Sequence, residues 1–144
     1  MRILCLDLGM KTCGFAISDD LNIIASPLLN MVYPNEDLSF VVNQVEQYFQ
    51  QYNNQINTII LGYPTNVYDA SMTNNTSRVI NLYHLLRNKY DSSIIIELVD
   101  ERFTTRIADQ AMRDVNMKAK KRKMNKDRIA ACFILQYYLK IIKG

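Results

Sequence analysis

An apolar run that ends on a carboxylate opens this chain: Ile3-Leu4-Cys5-Leu6 is stopped by Asp7, and Gly9 follows. A strand of that composition is destined for a core, where an unpaired carboxylate costs several kcal/mol. Its last acid must therefore reach a solvated cleft or meet a cation. The rest of the chain has to be arranged around that requirement. Residues 2–8, 14–19 and 21–33 are three short apolar stretches separated by turn-prone Gly9 and Asp19-Asp20-Leu21-Asn22, and they read as an antiparallel meander. Leu38, Val41, Val42, Val45, Tyr48, Phe49 and Tyr52 then recur at helical spacing, which predicts a helix over about 36–52. Thr58 to Gly62 is a buried strand stopped by Gly62 and Pro64. A helix over about 72–89 carries Val79, Leu82, Tyr83 and Leu86 on one side, and Ile94 to Val99 is a fifth strand. A short helix from about Thr105 to Val115, a basic connector, and a helix from about Asn125 to Ile142 complete the chain. Meander first and strand–helix alternation second predict an α/β fold: a mixed five-stranded sheet, the meander plus parallel strands, with helices on both faces.

The 144 residues, 49% of them hydrophobic, suit one domain with one substantial core. No stretch approaches the roughly 18 apolar residues of a membrane span, and the first residues lack a signal-peptide pattern, so a soluble, cytoplasmic protein is expected. Cys5, Cys13 and Cys132 are odd in number and set among apolar neighbours, which favours buried thiols over disulfides or a zinc site. The net charge of +3 hides an asymmetry: residues 1–101 hold five Lys/Arg against eleven Asp/Glu, and residues 102–144 hold twelve against three. Either charges are unevenly dealt over solvated faces, or a basic C-terminal surface holds a polyanion near acids supplied by the rest.

Three acidic constellations stand out. In Leu6-Asp7-Leu8-Gly9-Met10-Lys11-Thr12-Cys13-Gly14, glycine lets the turn backbone approach a phosphate or metal. A strand-end acid that merely tolerates exposure is the plainer alternative, and the same pattern opens the phosphate-binding hairpin of sugar and acetate kinases. Glu97-Leu98-Val99-Asp100-Glu101-Arg102-Phe103-Thr104-Thr105 delivers carboxylates to the C-terminal end of a strand, where open α/β sheets place ligands. Asp100 and Glu101 point to opposite faces, so at most one shares a site with Asp7. A salt-bridged turn with Arg102 is the alternative there. In the last helix Asp127 lies on the stripe of Ala130, Ala131, Ile134, Leu135 and Tyr138, facing inward. The competing account makes it a first-turn acid that complements the helix dipole behind an Asn125 N-cap.

Carboxylates from separate elements suit oxygen-ligated Mg²⁺ or Mn²⁺. Two such ions about 4 Å apart activate water and stabilise the leaving oxygen in phosphodiester cleavage. The single His84 has no partner for a zinc site and reads as a surface or packing residue. The basic run Lys118-Ala119-Lys120-Lys121-Arg122-Lys123-Met124-Asn125-Lys126 directly precedes Asp127; it is either a solvated loop or a set of phosphate contacts that hold a nucleic acid without reading its sequence. Tyr63 and Tyr68 could stack on bases or simply pack.

Taken in order, Asp7-Leu8-Gly9 with Gly14-Phe15-Ala16-Ile17-Ser18-Asp19, Leu61-Gly62-Tyr63-Pro64, Val99-Asp100-Glu101-Arg102-Phe103-Thr104-Thr105, and Asp127-Arg128-Ile129-Ala130-Ala131 with Ile134-Leu135-Gln136 resemble the YqgF/RuvX family across essentially the whole chain. The resemblance implies an RNase H-like fold, a cytoplasmic location, and a nuclease tied to 5′-end processing of pre-16S ribosomal RNA, in a family long described as Holliday junction resolvases. It carries the catalytic, metal-ligating acids over to Asp7, Glu101 and Asp127. Nucleic-acid contacts are expected from Lys11, Arg102, Lys120, Lys121, Arg122, Lys123 and Lys126. The chain departs from the family at Lys11-Thr12-Cys13-Gly14, where Lys-Arg-Ile-Gly is usual, and at Asp69-Ala70, where Asp-Gly is common. In the usual strand order the fifth strand lies two spacings, roughly 10 Å, from the first, so Asp100 stands as the replacement for Glu101.

The expected function is thus a metal-dependent nuclease, with pre-rRNA favoured over branched DNA as substrate, acting as a monomer or weak homodimer. A phosphotransferase of the actin and sugar-kinase superfold is the second reading, weakened by a length too short for two lobes. A non-catalytic RNA- or ribosome-binding factor is the third. It would keep the charge asymmetry without needing Asp7.

Overall fold

A computed structural model describes residues 1–63, 74–100 and 119–143. Strands β1 (Arg2–Leu8), β2 (Thr12–Ser18) and β3 (Ala25–Val32) form the expected meander. Helix α1 (Ser39–Gln51) leads to β4 (Ile56–Tyr63), α2 (Asn74–Lys89) to β5 (Ile95–Asp100), and α3 (Ala119–Lys143) comes last. The sheet order is β3-β2-β1-β4-β5, with β4 parallel to both β1 and β5. The mixed five-stranded sheet read from the sequence is the one observed.

Alternation along β1 builds two cores at once. Leu4, Leu6 and Leu8 point to one face with Phe15, Ile17, Ile59, Leu61 and Ile96, where Val41, Val45 and Phe49 of α1 and Val79, Leu82 and Leu86 of α2 close over them. Ile3 and Cys5 point to the other face with Ala16, Ala25 and Ile60, beneath Ala131, Ile134, Leu135 and Leu139 of α3. The run is apolar without period because β1 is covered on both sides. Polar pins fix α3 on its face: the Gln136 side chain accepts from Ala25 N at 3.1 Å and donates to Ile23 O at 3.1 Å, and the Tyr138 hydroxyl donates to Glu97 at 2.8 Å.

Element boundaries shift where local hydrogen bonding beats propensity. The third strand starts at Ala25 rather than 21, because one oxygen of Asp19 accepts from both Ile23 N and Ile24 N while Asn22 takes a left-handed φ of 57°. Those bonds hold the Asp19 carboxyl below its ordinary range. Helix α1 starts at Ser39 rather than 36, after a tight 3₁₀ turn at Pro34–Glu36. The larger correction concerns α3. Its backbone is helical from Ala119, six residues before the expected start, so Lys120, Lys121, Arg122, Lys123 and Lys126 lie along a helix and not in a connector. Ala, Lys, Arg and Met are all good helix formers, and no Pro or Gly interrupts them. The expected helix over 105–115, the loop with Tyr68 and Asp69-Ala70, and residues Glu101 and Arg102 lie outside the described residues. All three cysteines are free, with Cys5 and Cys13 buried. His84 is exposed and makes an edge contact with the Tyr83 ring. No helix among the described residues is long and apolar enough to cross a membrane.

Candidate active site

Asp7 follows Ile3 and Cys5 at every second residue of β1, so it belongs to the α3 face of the sheet. Unlike them it is only partly buried, because it lies near the end of the strand. Its neighbours across the sheet are glycines. Gly14 of β2 is its direct partner, and continuing the pairing of Leu6 with Leu61 by one residue brings Gly62 of β4 level on the other side. No glycine has a positive φ, so neither Gly14 nor Gly62 is there for a left-handed backbone. Glycine within a strand costs stability and gives up packing. What these positions supply is the missing Cβ on both sides of a carboxylate. The sequence marked both glycines as strand-end features; the shared row with Asp7 needed the register.

The fifth strand resolves one open choice. Glu97 and Val99 sit on the α3 face, Glu97 bonded to Tyr138 and Val99 packed against the α3 core, while Ile96 belongs to the opposite core. Asp100, paired with Tyr63, therefore alternates to the α1/α2 face, away from Asp7. That direction does not favour Asp100 as the replacement for Glu101. Val99 instead pairs with Gly62, level with Asp7 and two strand spacings away, roughly 10 Å.

Position 127 lies in the third turn of α3, counted from Ala119, four residues before buried Ala131 and seven before buried Ile134. The explanation of Asp127 as a first-turn acid behind an Asn125 cap is overturned, since both residues are inside the helix. Side chains before Ile129 on this helix are outside the described residues, as is Glu101. Among the described residues no three His, Cys, Asp or Glu side chains cluster as a metal site; Asp7 is the one candidate ligand whose side chain is described. Lys11 is exposed in the β1–β2 turn, where its carbonyl accepts from Tyr33 N at 3.0 Å. Tyr63 is partly buried against the α1/α2 core, a packing role.

Two side chains that sequence reasoning did not single out, Asn75 and Tyr33, hold the chain just after Asp7 together with the Gly9 turn. The Asn75 amide donates to Leu8 O at 3.0 Å, the Tyr33 hydroxyl donates to Gly9 O at 2.5 Å, and Gly9 N donates to Thr12 O at 2.8 Å. Arg78 joins Asn75 to Glu36. Nearby, burial pushes the Cys13 thiol well above its ordinary value, with the charge of Asp7 adding to the effect. The thiol is thus kept protonated beside the acid and is no nucleophile.

The family model described as "RuvX: Holliday junction resolvase" matches residues 1–141. The chain belongs to the RuvX family. It is a hydrolase acting on ester bonds, a nuclease, as the names carried by RuvX relatives support. A protein of Ureaplasma parvum serovar 3 named "Putative pre-16S rRNA nuclease" is 45% identical over 141 residues, covering 96% of both chains. A protein of the same name from Caldicellulosiruptor saccharolyticus is 36% identical over 145 residues, covering 100% of both. Among solved structures, Thermus thermophilus RuvC matches the RuvX chain with a TM-score of 0.56 at 9% identity, covering 100% of this chain and 97% of its own. That likeness is one of fold, and the fold is RNase H-like.

Proposed function

We propose that this RuvX protein is a single-domain, cytoplasmic, divalent-metal-dependent nuclease that trims the 5′ end of pre-16S ribosomal RNA. The observation that carries the proposal is the row Gly14–Asp7–Gly62, an acid flanked on both neighbouring strands by residues without side chains, on the sheet face that α3 covers. Glu101 and Asp127 are the proposed companions of Asp7. The direction of Asp100, away from Asp7, supports the choice of Glu101 over it, and the interior position of Asp127 in α3 favours a role beyond helix capping. An all-oxygen set of three carboxylates suits Mg²⁺ or Mn²⁺, two ions being the favoured number, which supply an activated water and charge stabilisation at the leaving oxygen.

The chain's own residues supply the rest. Asp7, kept at the mouth of the core by β1, provides a carboxylate that needs no reorganisation when a phosphate arrives. Gly14 and Gly62 leave room for the phosphodiester to approach it. Lys120, Lys121, Arg122, Lys123 and Lys126, together with Lys11 and Arg102, are proposed to grip the phosphate backbone; lying on successive turns of one helix, the five α3 cations suit a regular polyanion better than a loop would. The names of the curated relatives favour RNA. The family description favours four-way DNA as the second reading.

Incubating the purified protein with Mg²⁺ or Mn²⁺ and either a 5′-extended structured RNA or a four-way DNA junction, beside Asp7→Asn, tests these readings. Cleavage of RNA that disappears in the variant is expected. Cleavage of the junction alone would replace the substrate. If neither is cut while RNA binding survives in Asp7→Asn, the protein is a binding factor and the nuclease reading fails.

A further inference from the structure

The segment after β3 is bent at a cost. Asn35 and Glu36 have φ of 55° and 53°, successive left-handed residues without glycine, and a glutamate rarely adopts that conformation. The bend lies between two side chains that reach the same place. Before it, Tyr33 is 2% exposed and its hydroxyl donates to Gly9 O at 2.5 Å. At its end, Glu36 pairs with Arg78 at 2.5 Å, Arg78 donates to the Asn75 amide oxygen at 3.0 Å, and the Asn75 nitrogen donates to Leu8 O at 3.0 Å. Arginine only donates and a carbonyl only accepts, so the Asn75 amide has one orientation that satisfies both neighbours. The charge of Arg78 strengthens its bond to Asn75, and Glu36 keeps that charge in place.

Two consecutive carbonyls, those of the residues that directly follow Asp7, are thus held by two arms, Tyr33 directly before the strained bend and Asn75 of α2, which is tied to the bend through Arg78 and Glu36. They sit where β1 leaves its ladder and the Gly9 N–H closes the turn on Thr12. We propose that Asn75 and Tyr33 are positioning residues that clamp the Leu8 and Gly9 carbonyls and so fix the direction of the Asp7 carboxylate, with Arg78 and Glu36 acting through Asn75. The proposal rests on the nuclease reading of Asp7. It explains why the strain is retained: the bend brings Glu36 to the Arg78 that orients Asn75, beside a buried tyrosine that holds the next carbonyl, at the turn whose drift would move the acid.

Asn75→Asp and Tyr33→Phe in the full chain test it. Asn75→Asp keeps the shape and the pairing with Arg78 but turns an acceptor toward the Leu8 carbonyl. Hydrogen exchange at the Gly9 amide is expected to rise at least about 10-fold in each variant, with Ile59 and Leu61 in β4 unchanged. Mn²⁺ affinity, read by titration, and kcat on the cleaved nucleic acid are expected to fall about 10–100-fold, as for other groups that orient a metal ligand, with KM within about twofold. Unchanged exchange at Gly9, or faster exchange with Mn²⁺ affinity and kcat unmoved, would overturn the clamp. A fall in melting temperature with no change in either functional readout would make it a structural tie only, and would also overturn it. A wild-type chain that neither cuts nucleic acid nor binds Mn²⁺ sinks the nuclease reading and the clamp's purpose with it; an active wild type with normal clamp variants sinks the clamp alone.

Discussion

The two faces of the sheet are built from the same strands and do different work. Toward α1 and α2, β1 presents Leu4, Leu6 and Leu8, and the cover is apolar from end to end. Toward α3 it presents Ile3, Cys5 and then Asp7, with glycines on both sides of the acid, and the apolar cover from α3 is smaller. One residue step along β1 therefore separates a position that holds the fold together from one proposed to carry chemistry. Stability and reactivity are distributed by parity within a strand more than by distance along the chain.

Substitutions on β1 should break this contrast most visibly. Asp7→Asn, on the α3 face, is expected to lower the cleavage rate by at least about 10²–10³-fold, the loss typical of one preorganised electrostatic group, while melting stays close to wild type. Single-turnover cleavage beside calorimetry checks both halves. Its neighbour Leu6→Ala, fully buried on the other face, should do the reverse, costing about 2–5 kcal/mol by denaturant titration with near-normal turnover well below the melting point. Equal losses of both properties in both variants would erase the distinction between the faces.

Gly14→Ala sharpens the comparison. A strand glycine with ordinary φ gains intrinsic stability when it acquires a methyl group, so melting should hold or rise, while cleavage falls by up to about 10²-fold if the methyl shifts a bound phosphate by an ångström. A marked fall in melting temperature would make Gly14 a packing glycine instead.

The smallest effect concerns the pin between α3 and β5. Burial and the neighbouring Glu97 carboxylate raise the Tyr138 hydroxyl from its ordinary value to about 12. A tyrosine raised in the folded state contributes stability that is complete below its unfolded pKa, near 10, and is lost as pH climbs from there through about 12. Because the pair is substantially solvent-exposed, the expected loss is under about 1 kcal/mol, and Tyr138→Phe should flatten that part of the stability profile.

Much of this was legible in the chain. Short apolar stretches separated by turn-prone residues marked the meander, and an acid closing an apolar run had few places to go, so Asp7 stood out without a structure. The opposed directions expected of Asp100 and Glu101 were also readable, but that Asp100 turns away from Asp7 needed the register of β5 against β4. The basic run before Asp127 looked like a connector because charge suggested solvent, although all of its residues but Asn125 favour helix. The clamp was invisible for a plainer reason: Asn75 and Leu8 are 67 residues apart, Glu36 and Arg78 are 42, and Tyr33 and Gly9 are 24. Polar contacts at such separations leave no period in a sequence.

The unbroken course of α3 has a mechanical consequence. At 1.5 Å per residue its 25 residues make a rod roughly 37 Å long, whose leading turns are cationic and whose trailing turns are wedged into the sheet by Ala131, Ile134, Leu135 and Leu139. A force applied by a polyanion at the leading end is carried along the rod to the wedge without a joint to absorb it. Under the proposed role of the leading cations, gripping a nucleic acid and pressing α3 onto the Asp7 face would be movements of one body.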